Sequence, residues 1–303
     1  MTLPRPIGFG DTTMAQKRCY RGEYRLRPEP LVKQLIEYLL AYCADRYDQD
    51  LHDFVFMFNH DHIETTDPLG KRPLFLQQFH SLLARAINCL FHEGDAVFSA
   101  RRYSAQVLAD GEDVFESSLY LLLNPVKARI VRHPREYEGV SSWHMEYNKP
   151  KLVHRPNFFF SRHMPATVEL VLRRPKQVRP DLDARELRRA IRVEASSRAS
   201  DIVASKRRAG ETFLGFRRAM RRPRHQSAGD RMSAGGRRSG IRPHVTARNE
   251  TVRIQMLRAL KTFWVQYAAA LKQWRAGERE VQFPYGTYKM RVLHRVRVRS
   301  RPI

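Results

Sequence analysis

Two short arrays of polar side chains stand out in this chain of 303 residues. The first is His60-Asp61-His62. In an extended segment residues i and i+2 point to the same side, about 7 Å apart, so two imidazoles can converge on one ion. Alone the pattern is weak. With 12 histidines, chance supplies about 0.5 such pairs in a chain of this length, and two surface histidines beside a turn would read the same way. The second array is Tyr120 and Asn124. They lie four apart on an expected helix, hence on one face. A phenol and a carboxamide would then stand side by side. The plainer alternative is a half-buried packing tyrosine, with Asn124 as a helix cap.

The elements that must carry these residues follow from periodicity. Residues 1–13 show no pattern and are expected to form a loose tail, with Met14 as an alternative start. Residues 17–27 suggest an exposed strand. Pro30 opens a helix in which Leu31, Leu35, Ile36, Leu39, Leu40 and Cys43 recur at helical spacing. LHDFVFMFN (51–59) is rich in strand formers, and HDHIETTD (60–67) reads as a second extended segment. Phe75, Phe79, Leu82, Leu83, Ile87 and Leu90 mark another helix over about 74–91. RRYSAQVL (101–108) reads as a strand. Asp110 and Gly111 start a third helix, with Glu112 and Asp113 in its first turn. Pro125 is expected to stop it near Asn124. This order suits an α+β fold: a ferredoxin-like antiparallel sheet with two helices on one face and a third appended.

Charge divides the chain. Lys and Arg number 55 against 31 Asp and Glu, for a net charge of +24. Residues 1–150 hold 18 basic and 20 acidic side chains, whereas residues 151–303 hold 37 and 11. A polyanion is the natural partner of such a half, and nucleic acid is favoured by counterion release. Residues 146–220 read as a basic extension, with a helix over 183–208. Residues 221–245 read as an Arg/Gly/Ser-rich linker. Residues 246–303 read as a basic region with a helix over 249–276 and a turn and strand over 281–298. Trp264, Tyr285 and Tyr288 are candidates for stacking on bases, with core packing the better reading for Trp264. Three dispersed cysteines (Cys19, Cys43, Cys89) make a disulfide scaffold or a four-cysteine zinc site improbable and suit a reducing cytoplasm. No apolar run approaches a membrane span.

The run DFVFMFNHDHIETTDP, then RRYSAQVL, then SSLYLLLNPVKARIV and HPREYEGVSSW, resembles the single-tyrosine HUH transposases, especially the REP-associated tyrosine transposases. Their signatures, NH-x-H, Y-x-x-x-NPV and a following Ser-Ser, stand here at His60/His62, Tyr120/Asn124-Pro125-Val126 and Ser141-Ser142. The resemblance covers about residues 14–145, the HUH nuclease core. It implies cutting and rejoining of single-stranded, hairpin-containing DNA, with Tyr120 as nucleophile and a 5′-phosphotyrosine intermediate. It also implies Mg²⁺ or Mn²⁺ held by His60, His62 and Asn124, a homodimer, and a cytoplasmic, nucleoid-associated location. Two positions depart from the family's pattern. Asp61 stands where an apolar residue is usual, and Phe58 where the turn usually has Pro. Asp61 is expected to point away from the imidazoles. Glu64 shares their parity and reads as an extra ligand or, preferably, a solvated edge residue. Glu116, one turn before Tyr120, is a candidate base. A catalytically inactive DNA- or RNA-binding regulator on the same fold is the alternative.

If strand affinity resides in the basic half, truncation after about residue 150 is expected to weaken single-strand binding steeply. It should also flatten the dependence of affinity on salt, measured by fluorescence anisotropy across a salt series. Equal slopes for both chains would refute the assignment.

Overall fold

The computed structural model describes residues 4–100, 103–227 and 244–301. The first strand, β1 (Asp11–Arg18), is followed by α1 (Pro30–Arg46), β2 (Asp50–Phe56), β3 (His60–Asp67), α2 (Arg72–Phe91), β4 (Ser104–Leu108) and α3 (Gly111–Leu122). A four-residue helix, α4 (Asn124–Lys127), a hairpin of β5 (Lys151–His154) and β6 (Thr167–Leu170), and α5 (Ala184–Arg208) come next. The chain continues through α6 (Phe216–Met220), β7 (Val245–Thr246), α7 (Glu250–Arg275), β8 (Gln282–Phe283), α8 (Lys289–His294) and β9 (Arg297–Val298).

The central sheet runs β2-β3-β1-β4-β7. Its first four strands pair antiparallel in the expected ferredoxin-like order. β7 adds a short parallel edge beside β4, so the sheet is mixed. The parity of β3 decides what each face carries. Asp61 and Ile63 face α1 and α2, and the Asp61 carboxylate pairs with His80 of α2 at 2.9 Å. Phe56, opposite Asp61, packs on Phe79 of α2. His62 and Glu64 face the other way, where Ser118 of α3 donates to Glu64 at 3.0 Å. The two helices expected on one face, α1 and α2, share the Asp61 side, and the appended third helix covers the opposite face. An apolar face on each side of the sheet needs cover, and the apolar stripe of α3 (Val114, Phe115, Leu119, Leu122, all buried) supplies it on the second side.

Several boundaries differ from the sequence reading. β1 begins at Asp11, inside the expected tail, and ends where the strand over 17–27 was placed. Thr12 and Thr13 are buried by pairing with β3. Ile7 is buried too, its N–H donating to Gly286 at 2.9 Å. The tyrosine helix ends at Leu122, close to Asn124 as expected, and a separate four-residue helix follows from Asn124 with Pro125 in its first turn, where its missing N–H costs nothing. The segment 281–298, read as a turn and a strand, holds a helix, α8, between two short strands. Most of the Arg/Gly/Ser-rich stretch, and Arg101 and Arg102, lie outside the described residues.

The basic extension is part of the core. Leu187, Ile191 and Ala195 of α5 join the cluster that includes Ala15, Ile63 and Phe79. Arg188 is the tie. It is wholly buried and pairs with Asp53 of β2 at 2.8 Å. The same carboxylate accepts from Ser142 Oγ at 2.5 Å and Tyr147 Oη at 3.0 Å. Arg188 also donates to the carbonyls of Met145 and Ser142. Ser142, half of the Ser-Ser signature, thus has a structural role. Truncation after residue 150 would strip Asp53 of its counter-ion as well as removing charge. Arg188→Met is expected to destabilise the fold by ~3–5 kcal/mol, because an uncompensated buried carboxylate remains. Denaturant midpoints check this, and Asp53→Asn/Arg188→Met should recover part of the loss.

Candidate functional site

His60 and His62 sit at the start of β3, just after the tight turn 57–59. Phe58 is buried and packs edge-on against Tyr24 and Phe216 of α6. The C-terminal half thus brings an aromatic ring to that turn. Asp61 is also accounted for. Its Oδ1 accepts from the Lys17 backbone N–H at 3.1 Å, and its Oδ2 faces His80. A buried charge is tolerable when paired in this way.

The two imidazoles meet at a centroid distance of 5.0 Å. His60 Nδ1 lies 2.7 Å from Asn59 Oδ1, so this nitrogen carries the hydrogen and Nε2 keeps its lone pair. His62 is 1 % exposed, its Nδ1 is 3.4 Å from the Met14 sulfur, and its buried Nε2 has no hydrogen-bond partner. Burial pushes the His60 imidazole down to about 4. It pushes His62 well below its ordinary value as well, helped by His60 and by the cations Arg18 and Lys127. Both rings are neutral at pH 7, the form that binds metal.

Tyr120 stands on the solvent side of α3. Leu119, Leu121 and Leu122 are buried, while Tyr120 is 43 % exposed. Its ring lies 5.6 Å, centroid to centroid, from His62. Lys127 Nζ sits 4.3 Å from the centre of the same ring. Asn124 donates its Nδ2 to the Tyr120 carbonyl at 2.9 Å. The amide nitrogen is the end tied to the helix, which leaves the oxygen for a cation. The fold therefore gathers His60, His62 and Tyr120, with Asn124 one turn beyond, within a single chain.

Glu64 is corrected. β3 is an interior strand, and Glu64 is fully buried rather than solvated. Burial, with Asp53 nearby, raises its carboxyl to about 8, so it is a neutral acid bonded to Ser118 at pH 7. Glu116 is unsuited to act as a base. Arg198 of α5 holds its carboxylate through two bonds of 2.6 and 2.8 Å, and Arg248 adds a third contact at 3.2 Å. Trp264 donates to the Pro4 carbonyl, and Tyr285 Oη accepts from the Phe9 N–H, so each makes a hydrogen bond within the chain. Among the described residues, no group of three or more His, Cys, Asp or Glu is placed to hold a metal. An ion here therefore needs the Asn124 oxygen or water beside the two imidazoles. Lys127 and Arg198 were missed in the sequence. Lys127 is seven residues after Tyr120, two helical turns, and that spacing is a usable signal. Nothing local marks Arg198.

The hydrogen bonds from Arg198, the leading cause, hold the Glu116 carboxyl below its usual 4.5. A depressed acid contributes stability that is present above the unfolded value and is lost as pH falls through the folded one. Glu116→Gln is expected to flatten this acid limb by about 1 kcal/mol, given partial exposure. Chemical denaturation between pH 3 and 7 measures it. No family model matches the chain, and no curated protein matches it. Among solved structures, the chain is similar to a REP-associated tyrosine transposase bound to a REP hairpin, with 15% identity, 48% of this chain and 84% of that one covered, and a TM-score of 0.42. It is also similar to a candidate transposase from Deinococcus radiodurans R1, with 16% identity, 35% and 85% covered, and a TM-score of 0.27.

Proposed function

We propose that the chain is a metal-dependent nicking-and-joining enzyme for single-stranded DNA, with Tyr120 as its nucleophile. The observation that carries this reading is the exposed Tyr120 ring lying 5.6 Å from His62, whose buried Nε2 has no partner. An orphaned ring nitrogen in a dry site is costly unless something binds it. Neutral imidazoles of His60 and His62 with the Asn124 oxygen fit Mg²⁺ or Mn²⁺, with positions left for water and phosphate. When bound, the ion supplies Lewis-acid polarisation of a non-bridging phosphate oxygen.

The chain's own residues do the rest. Tyr120 Oη attacks the scissile phosphorus as its proton passes to solvent, which reaches the exposed ring. The P–O3′ bond breaks, the 3′-oxygen takes up a proton, and a 5′-phosphotyrosine forms. The new ester keeps the bond energy, so attack by a 3′-hydroxyl restores a phosphodiester without ATP. Lys127 steadies the ring and places a cation beside the incoming phosphate. Single strands with hairpins are the substrate that the sequence resemblance implies. The site is built from one chain, so a homodimer is not needed to complete it. Asp61 and Phe58, the two departures from the family's pattern, each have structural partners in this fold.

The full-length protein, incubated with a hairpin-flanked single strand and Mn²⁺ and then boiled in detergent, should yield a covalent protein–DNA species. Tyr120→Phe is expected to abolish it, and His62→Ala to reduce it roughly 100-fold. An adduct that survives Tyr120→Phe, or none with either Mg²⁺ or Mn²⁺, sinks the reading.

A further inference from the structure

The other side of the sheet carries a cavity that this chemistry does not use. The register of β1 with β3 and β4 places Ala105 and Val107 on the Asp61 and Ile63 side, away from His62. α7 lies over this flank, with Leu260 and Phe263 turned inward. Between them is a cavity of about 540 Å³, within the range of small-molecule sites. Val107, Met256, Leu260, Phe263, Tyr103 and Tyr285 give it apolar and aromatic walls.

One lining residue does not suit an empty apolar space. Arg72, at the start of α2, is 3 % exposed, and its Nε and Nη1 have no hydrogen-bond partner. The nearby carboxylates are engaged elsewhere. Asp67 accepts from Gln49 Nε2 and from the N–H groups of Lys71 and Arg72, and Asp11 accepts from the Gly8 N–H. Asp11 feels the Arg72 charge, yet the two form no ion pair. Arg5 and Arg299 also line the cavity, Arg5 donating to the Tyr103 carbonyl at 2.7 Å. A buried guanidinium with unused donors, inside aromatic walls, is the chemistry that captures an anion with a flat apolar body. Thr262, Gln266 and His244 add polar groups to the lining, at its solvent-facing rim for Thr262 and Gln266.

We propose that this cavity is a second ligand site that takes a nucleotide, with the base among the rings of Tyr103, Phe263 and Tyr285 and the phosphate on Arg72. The nucleotide comes either from solution or from an unpaired position of a DNA strand. The inference stands apart from the nuclease reading, because none of its residues belongs to the Tyr120 site.

Calorimetric titration of the full-length protein with dTMP, thymidine, inorganic phosphate and a thymidine pentanucleotide tests it. dTMP is expected to bind one per chain, at least tenfold tighter than thymidine or phosphate. Arg72→Met should weaken dTMP at least tenfold while changing thymidine less than twofold. Ala259→Trp fills the cavity from an exposed position on α7, so it should abolish both even if Arg72→Met fails to fold. If the pentanucleotide binds tighter than dTMP and loses affinity in Ala259→Trp, the strand is the source. If only dTMP responds, the free nucleotide is. No dTMP binding at millimolar concentration, phosphate binding equal to dTMP, or dTMP binding indifferent to Ala259→Trp would overturn the proposal.

Discussion

The alternation of β3 is the constraint on which the structure depends. Successive side chains of a strand point to opposite faces, so one eight-residue element sorts His62 and Glu64 from Asp61 and Ile63. A slip of one residue would drive the imidazoles into the α1/α2 core and turn Ile63 towards the tyrosine helix. The register is held from both sides. Asp61 is gripped by His80 and the Lys17 N–H, and Glu64 by Ser118. Those two acidic residues, which look like anomalies beside a metal-binding motif, are the pins that keep the histidines facing the right way.

The tyrosine must then be brought to the histidines by an element from elsewhere in the chain. α3 does this by covering the His62 face, and α5 holds α3 in turn. The α5 ties differ in kind. Arg188 to Asp53 is fully buried and specifies one arrangement, since losing either partner strands a charge. Arg198 to Glu116 is partly exposed and contributes less, yet it fixes the turn of α3 just before Tyr120. Both originate in the segment that the charge count alone marks as a tail for polyanions.

That charge count therefore mixes two populations. Some arginines of the second half are used inside the molecule. Arg188, Arg192, Arg198 and Arg224 meet Asp53, Glu146, Glu116 and the ring of Phe91. Others, such as Arg185, Arg207 and Arg208, are exposed. Only the second group can release counterions on binding a phosphate backbone. The basic half is at once a structural support and a surface, and the acidic character of the first half partly reflects carboxylates that await those internal arginines.

Much of this was legible in the chain itself. Period-two and period-3.6 patterns placed β3 and the three core helices within a few residues. An Asp before the third helix announced its start, and the Asp110 side chain indeed caps the Asp113 N–H. The spacing of Tyr120 and Asn124 on one helical face was also local, because four residues make about one turn. Tertiary structure alone decided which sheet face α3 would cover, that Glu64 would be buried and protonated, that Glu116 would be claimed by Arg198, and that Phe58 would find rings from residues 24 and 216. Those outcomes depend on partners up to nearly 160 residues away along the sequence, and burial, pairing and the resulting charge states are properties of the assembled surroundings rather than of any segment.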